Sequence, residues 1–268
     1  MIEFGSGPPL VLIPSIQGRW EYLRPAIDAL ARTFRVLTFP LCGERGGEQA
    51  IDPSLGFDSD ARQVLAVLDR AGIERATICG ISFGGRPAIR FAATHPQRTR
   101  NLVLVSTPGP QWHLRPRHRV YARLPWLFGP LFLAETPFRV RKEMAAAFPQ
   151  RRALWRFARW QLATLARLPL SLTRMADRAA LIEATDVIAD CARVTAPTLV
   201  ITGDRALDRV VSVDSTRAYL ELIRGARHVI LARSGHLGSI TRPDAFAALV
   251  REFTTECGAG QRDASEAA

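Results

Sequence analysis

Lysine is nearly missing from this chain: of its 36 basic residues only Lys142 is lysine, and the arginines are spread along the whole length. The formal net charge is +11, a sign that suits a polyanionic partner. No helix-turn-helix, zinc-finger or RNA-binding signature accompanies it, so the sequence is read as a generally basic surface and no nucleic-acid partner is expected. Long apolar runs are also lacking. None reaches the roughly 18 residues needed to cross a bilayer, so no transmembrane segment is expected. The opening MIEFGSGPPL has neither the basic nor the apolar part of a secretory signal, which makes a cytoplasmic location the default expectation. Cysteine is sparse and unclustered. Cys42, Cys79, Cys191 and Cys257 form no C-x-x-C pair and no framework spacing, so they signal neither a disulfide scaffold nor a metal site.

What is present is length and alternation. With 268 residues, 47% of them hydrophobic, the chain can bury a large core. Strand-like stretches at 10–14, 34–39, 76–81, 102–106, 198–202 and 228–232 alternate with helical patterns near 20–32, 58–71, 84–94, 213–223 and 243–254. This is the signature of a mostly parallel sheet flanked by helices. Residues 109–190 break the alternation: they carry four of the five tryptophans and helical periodicity interrupted by prolines. They are read as an inserted helical cap. The core is then expected over 1–108 and 191–256, with 257–268 a polar, disordered tail.

One motif carries chemistry. Gly80-Ile81-Ser82-Phe83-Gly84 fits G-x-S-x-G, in which glycines permit a sharp strand-to-helix turn that exposes the serine. The pentapeptide alone arises by chance in about one chain in ten of this size. A preceding strand and a following helix give it the required context, so Ser82 is the expected nucleophile.

With its elbow, the run HPQRTRNLVLVSTP, the segment APTLVITGDRALDRVV and the late SGHLG, the chain resembles the α/β-hydrolase superfamily from Ile2 to about Phe253. The resemblance implies the α/β-hydrolase fold and a triad in the order serine, acid, histidine. His236 follows the last strand directly and is the expected base. His228 lies at the wrong end of that strand, His95 caps the elbow helix, and His113 and His118 fall in the cap. No Asp or Glu occurs between Asn101 and Ala134, so the acid is sought after the strand at 198–202. There Asp208-Arg209-Val210-Val211 matches the family pattern better than Asp204, although the spacer is longer than usual and Ser212 replaces a proline. Asp208 is the expected acid, and Asp204 is expected to brace the loop through backbone contacts.

The oxyanion donors implied are the backbone N–H groups of Phe83 and, by position after the first strand, Ile16. Gln17 and Gly18 remain alternatives, because the family's usual His-Gly is missing there. Trp126 and Trp155 are the expected walls of an apolar substrate pocket under the cap, with the cap's arginines facing solvent. The function implied is a serine esterase: hydrolysis of a small-molecule carboxylic ester, thioester or lactone through an acyl-enzyme, with no cofactor and no metal. A carbon–carbon bond hydrolase using the same triad, or a non-enzymatic ligand-binding protein of this fold, are the alternatives.

Overall fold

The computed structural model describes residues 1–47 and 50–266. The chain begins with β1 (Ile2–Phe4), β2 (Pro9–Ile13), α1 (Arg24–Leu30), β3 (Arg35–Thr38), α2 (Asp58–Arg70), β4 (Ala76–Ile81), α3 (Gly85–Thr94) and β5 (Thr99–Val105). The cap follows with α4 (Pro116–Arg123), α5 (Pro125–Ala147), α6 (Arg151–Arg167) and α7 (Leu172–Ala184). The remainder is α8 (Ile188–Arg193), β6 (Thr198–Thr202), α9 (Val213–Arg217), α10 (Tyr219–Leu222), β7 (Arg227–Ile230), α11 (Gly238–Thr241) and α12 (Pro243–Glu266). The strands form one sheet in the order β1-β3-β2-β4-β5-β6-β7, with β1 antiparallel to β3 and every other pair parallel.

Helices cover both faces of this sheet, which is why its strands read as unbroken apolar runs rather than alternating ones. Val11, Ile13 and Ile78 point to the layer of α2, α3 and α8, whereas Leu10, Leu12 and Cys79 point to the layer of α1 and α12. Strand β4 is central, buried at all six positions, and it ends at the turn that carries Ser82. Successive parallel strands deliver their carboxyl ends to one edge of the sheet, where ligands bind in open α/β sheets. The turns after β2, β4, β6 and β7 supply the candidate site.

Two features depart from the sequence reading. Strand β1 has no apolar signature of its own because only three residues pair at an edge. The expected disordered tail continues α12 as far as Glu266. Residues 267–268 of that tail lie outside the described residues.

Candidate active site

Ser82 sits where β4 turns into α3, with φ of 53°, a conformation that costs a non-glycine residue about 1 kcal/mol or more. The turn closes only because its flanks lack side chains. A Cβ on Gly80 would lie 2.3 Å from the Gly84 carbonyl oxygen, and one on Gly84 would lie 2.4 Å from that of Ile13. The strain thus has a structural cause, and its effect is to lift the hydroxyl out of the sheet edge.

His236 meets that hydroxyl from the loop after β7. Its Nε2 lies 3.0 Å from Ser82 Oγ, so the neutral ring can accept the hydroxyl proton there. Its Nδ1 lies 3.5 Å from Asp208 Oδ2, long for a hydrogen bond but close for a charge pair. Asp208 Oδ1 accepts the N–H groups of Val210 and Val211, both at 2.9 Å, which leaves Oδ2 for the imidazole. Burial works to raise the Asp208 carboxyl, and His236 with these two N–H groups outweighs it, holding the carboxyl below its ordinary value. The imidazole answers in kind: burial works to lower it, while Asp208 and Glu143 hold it above the ordinary value of 6.5.

Asp204 does something else. Its Oδ2 accepts the Arg233 N–H at 2.7 Å, and its own N–H donates to the Ser234 carbonyl at 2.8 Å. It therefore fastens the loop that carries His236, with Arg233 held at φ of 60°. The remaining histidines are engaged elsewhere. His228 contacts Thr202 Oγ1 at 2.9 Å, and His95 stacks on Phe91 at the end of α3. His113 stands 3.9 Å from Glu183 in the cap.

A cavity of about 170 Å³ opens above Ser82 and His236, between the sheet edge and the cap, and Ile16 and Phe83 both line it. The loop bearing Ile16 is braced from the cap: Arg178 of α7, fully buried, donates to the Ile16 carbonyl at 3.0 Å and the Cys42 carbonyl at 2.8 Å while pairing with Glu44 at 3.1 Å. Gly18 suits its place opposite it: its φ is 77°, and a Cβ there would also lie 2.4 Å from the guanidinium.

The expected pocket walls need correction. Trp126 is 76% exposed and Trp155 67% exposed, and neither lines the cavity; its walls are instead Trp112, Tyr121, Phe132, Leu172 and Met175. Periodicity put tryptophans on the cap helices without saying which face turns inward. Nor do all cap arginines avoid the cavity: Arg115 and the half-buried Arg139 also line it, as does His118.

Glu143 is the residue that sequence reasoning missed. It lies on α5, only 1% exposed, and its Oε1 accepts the Leu237 N–H at 2.8 Å. The Gly235 backbone passes so close that a Cβ there would lie 2.8 Å from Oε2. A cap carboxylate thus grips the loop on both sides of His236. Burial raises this carboxyl to about 7, against the hydrogen bonds of Gly235 and Leu237 and the charge of His236. One signal was legible: from Trp112 to Leu168 the chain has twelve cations and only two carboxylates, Glu135 and Glu143, so an acid there invites a search for its partner.

A sharp serine turn, a histidine on a late loop, an acid after β6 and a helical cap over the sheet edge define an α/β-hydrolase. The family model for the alpha/beta hydrolase fold matches residues 8–243, and the chain belongs to that family. Among curated relatives, the 2-hydroxymuconate semialdehyde hydrolase of Pseudomonas sp. (strain CF600) is 26% identical, covering 96% of this chain and 90% of that one. Among solved structures, the enol-lactonase of Burkholderia xenovorans LB400 is 25% identical with a TM-score of 0.77, covering 95% of each chain. The 2-hydroxy-6-oxo-6-phenylhexa-2,4-dienoate hydrolase of Rhodococcus sp. strain RHA1, 22% identical over 93% of this chain and 92% of that one, shares the fold with a TM-score of 0.69.

Proposed function

We propose that the protein is a serine hydrolase of carboxylic esters, including lactones and thioesters, working through an acyl-enzyme. The observation that carries this reading is the 3.0 Å approach of His236 Nε2 to Ser82 Oγ on a strained turn. Ser82 Oγ attacks the carbonyl carbon while His236 Nε2 takes its proton. The tetrahedral oxyanion is held by the N–H groups of Phe83 and Ile16. Asp208 fixes the imidazole tautomer and stabilises its charged form. His236 then returns the proton to the leaving oxygen or sulfur, which departs and leaves the acyl group on Ser82. Water, deprotonated by the same imidazole, releases the acid. The reaction needs no electron acceptor, and a cytoplasmic setting is part of the proposal. The test is a panel of p-nitrophenyl esters, thioesters and lactones run beside labelling by a fluorophosphonate probe; a protein that neither takes up the probe nor turns over any member overturns the reading.

A second reading is favoured by one feature of the cavity. Arg139 lines it half-buried with its Nε lacking a hydrogen-bond partner, a setting suited to an acid. A curated relative is named 2-hydroxymuconate semialdehyde hydrolase, and carbon–carbon bond cleavage of a diketone acid by the same three residues is the alternative. Faster turnover of such an acid than of any ester in the panel decides for it.

The cavity walls give a size prediction. Met175→Trp adds bulk beside the acyl path and should lower kcat/KM for a long acyl ester by about tenfold or more. The acetate ester should suffer a smaller loss. Equal losses across acyl lengths, measured on p-nitrophenyl esters, would remove the wall assignment.

The pH dependence follows from the neighbours of His236. Only the neutral ring accepts the serine proton, so kcat/KM rises with pH through its ionisation. Because Asp208 and Glu143 hold that ionisation above 6.5, the acid limb should lie above the ordinary imidazole value. Glu143→Gln removes one of the two carboxyl groups that raise the imidazole and should move the limb to lower pH. An unmoved limb, with chemistry shown to limit the rate, would make Glu143 a structural residue only.

A further inference from the structure

The cap's outer surface has a composition that water does not explain. Along α5 the exposed positions through Phe138 are Trp126, Leu127, Pro130, Leu131, Leu133, Ala134, Pro137 and Phe138, and no charge interrupts them. Their spacing of three and four residues places them on one side of the helix. Trp126 is 76% exposed and Phe138 74%. Single exposed apolar side chains are ordinary, but a contiguous apolar stripe marks an interaction surface.

The next helix supplies the charge. The exposed positions of α6 are Arg151, Arg152, Trp155, Arg156, Arg159, Leu162, Ala163, Ala166 and Arg167, again on one side and without an acid. Arg141 and Lys142 extend the cationic character at the end of α5. Among the described residues none of these seven cations forms an ion pair, whereas core arginines do, as Arg90 does with Asp58 and Asp190. Both carboxylates of the segment from Trp112 to Leu168 are engaged elsewhere: Glu143 is buried against the His236 loop, and the partly exposed Glu135 pairs with Arg117 and Tyr121. The exposed side of α5 is therefore apolar and aromatic, and that of α6 joins Trp155 and Leu162 to positive charge of one sign.

We propose that this outer face of α5 and α6 docks the enzyme on an anionic lipid surface, with the aromatic and leucine side chains entering the headgroup boundary and the arginines meeting the lipid phosphates. Charge complementarity selects this occupant. A second copy of the chain meeting α6 would set its unpaired arginines against their own kind, and a nucleic-acid duplex would leave the leucines and phenylalanine of α5 without apolar cover. An aromatic, basic amphipathic helix is the kind that lies in a membrane interface. No helix of the described residues is long and apolar enough to cross a membrane, so the attachment is from one side. The same cap roofs the cavity over Ser82, so docking would place the cavity roof against the bilayer, where lipophilic esters concentrate. This inference does not depend on the reaction assigned to the site.

The test is co-sedimentation of the full chain with vesicles of phosphatidylcholine alone and of phosphatidylcholine with 40% phosphatidylglycerol, at two salt concentrations. Binding is expected only to the anionic vesicles and should weaken about tenfold or more between about 50 and 200 mM salt. Trp126→Ala with Phe138→Ala should weaken it by a further tenfold or more, with an unchanged thermal unfolding midpoint showing that the fold survives. Trp fluorescence of the unmutated protein should be quenched by brominated lipid, a readout that needs no variant. Three results would each overturn the proposal: no binding to anionic vesicles at low salt, binding without lipid quenching, or a concentration-dependent dimer that the same substitutions dissolve. Salt-sensitive binding to duplex DNA that exceeds binding to the vesicles would do so as well.

Discussion

Ser82→Ala is expected to abolish fluorophosphonate labelling and to lower kcat for the best ester by about a million-fold, the scale seen when an activated serine nucleophile is removed. Alanine keeps the Cβ of serine and therefore the same strain at φ of 53°, so the loss is chemical. Circular dichroism should show an unchanged fold. Ser82→Gly adds a second readout. Glycine reaches positive φ without steric cost, so this variant should be equally inactive yet more stable than Ser82→Ala by about 1 kcal/mol. Labelling that survives in both variants would take the nucleophile away from this turn and with it the proposed reaction.

Asp208→Asn should cost about 10⁴ in kcat. Asparagine can still accept the Val210 and Val211 N–H groups with its oxygen, so the loop should persist. What it presents to His236 Nδ1 is then an NH₂ donor, which favours the wrong imidazole tautomer and no longer stabilises the charged ring. Asp204→Asn should lose far less, because an amide oxygen can still accept the Arg233 N–H. Asp204→Ala removes that bond at a residue held at φ of 60°, so it should appear chiefly as lost stability of about 1 kcal/mol. Steady-state kinetics with thermal unfolding on the three variants separates the roles. A 10⁴-fold loss in Asp204→Asn, with Asp208→Asn near normal, would exchange the two assignments.

The turn and the strands were legible because they rest on local constraints. Gly80 and Gly84 are dictated by backbone atoms less than 2.5 Å from where a Cβ would be, and a requirement that strict leaves a readable motif. Buried parallel strands leave continuous apolar runs for the same reason. The choice between Asp208 and Asp204 rested on a pattern with an irregular spacer, and sequence alone could not give the direction of either carboxylate. Two residues on one loop, four apart, face different partners: one the imidazole of His236, the other the Arg233 backbone.

By itself the sequence determined the α/β alternation, the sharp glycine-flanked turn at Ser82 and the helical character of the segment between β5 and β6, since propensity, periodicity and glycine sterics act over neighbouring residues. The tertiary structure alone decided which side of each cap helix meets the core. An apolar, aromatic helix carries no mark telling a pocket wall from an outer surface, and only packing shows that Trp112 lines the cavity while Trp126 and Trp155 face outward. It also decided the braces between distant segments. Glu143 reaches Leu237 and Arg178 reaches Ile16 across 94 and 162 residues of chain, and contacts of that separation leave no local pattern because they exist only once the cap has closed on the sheet.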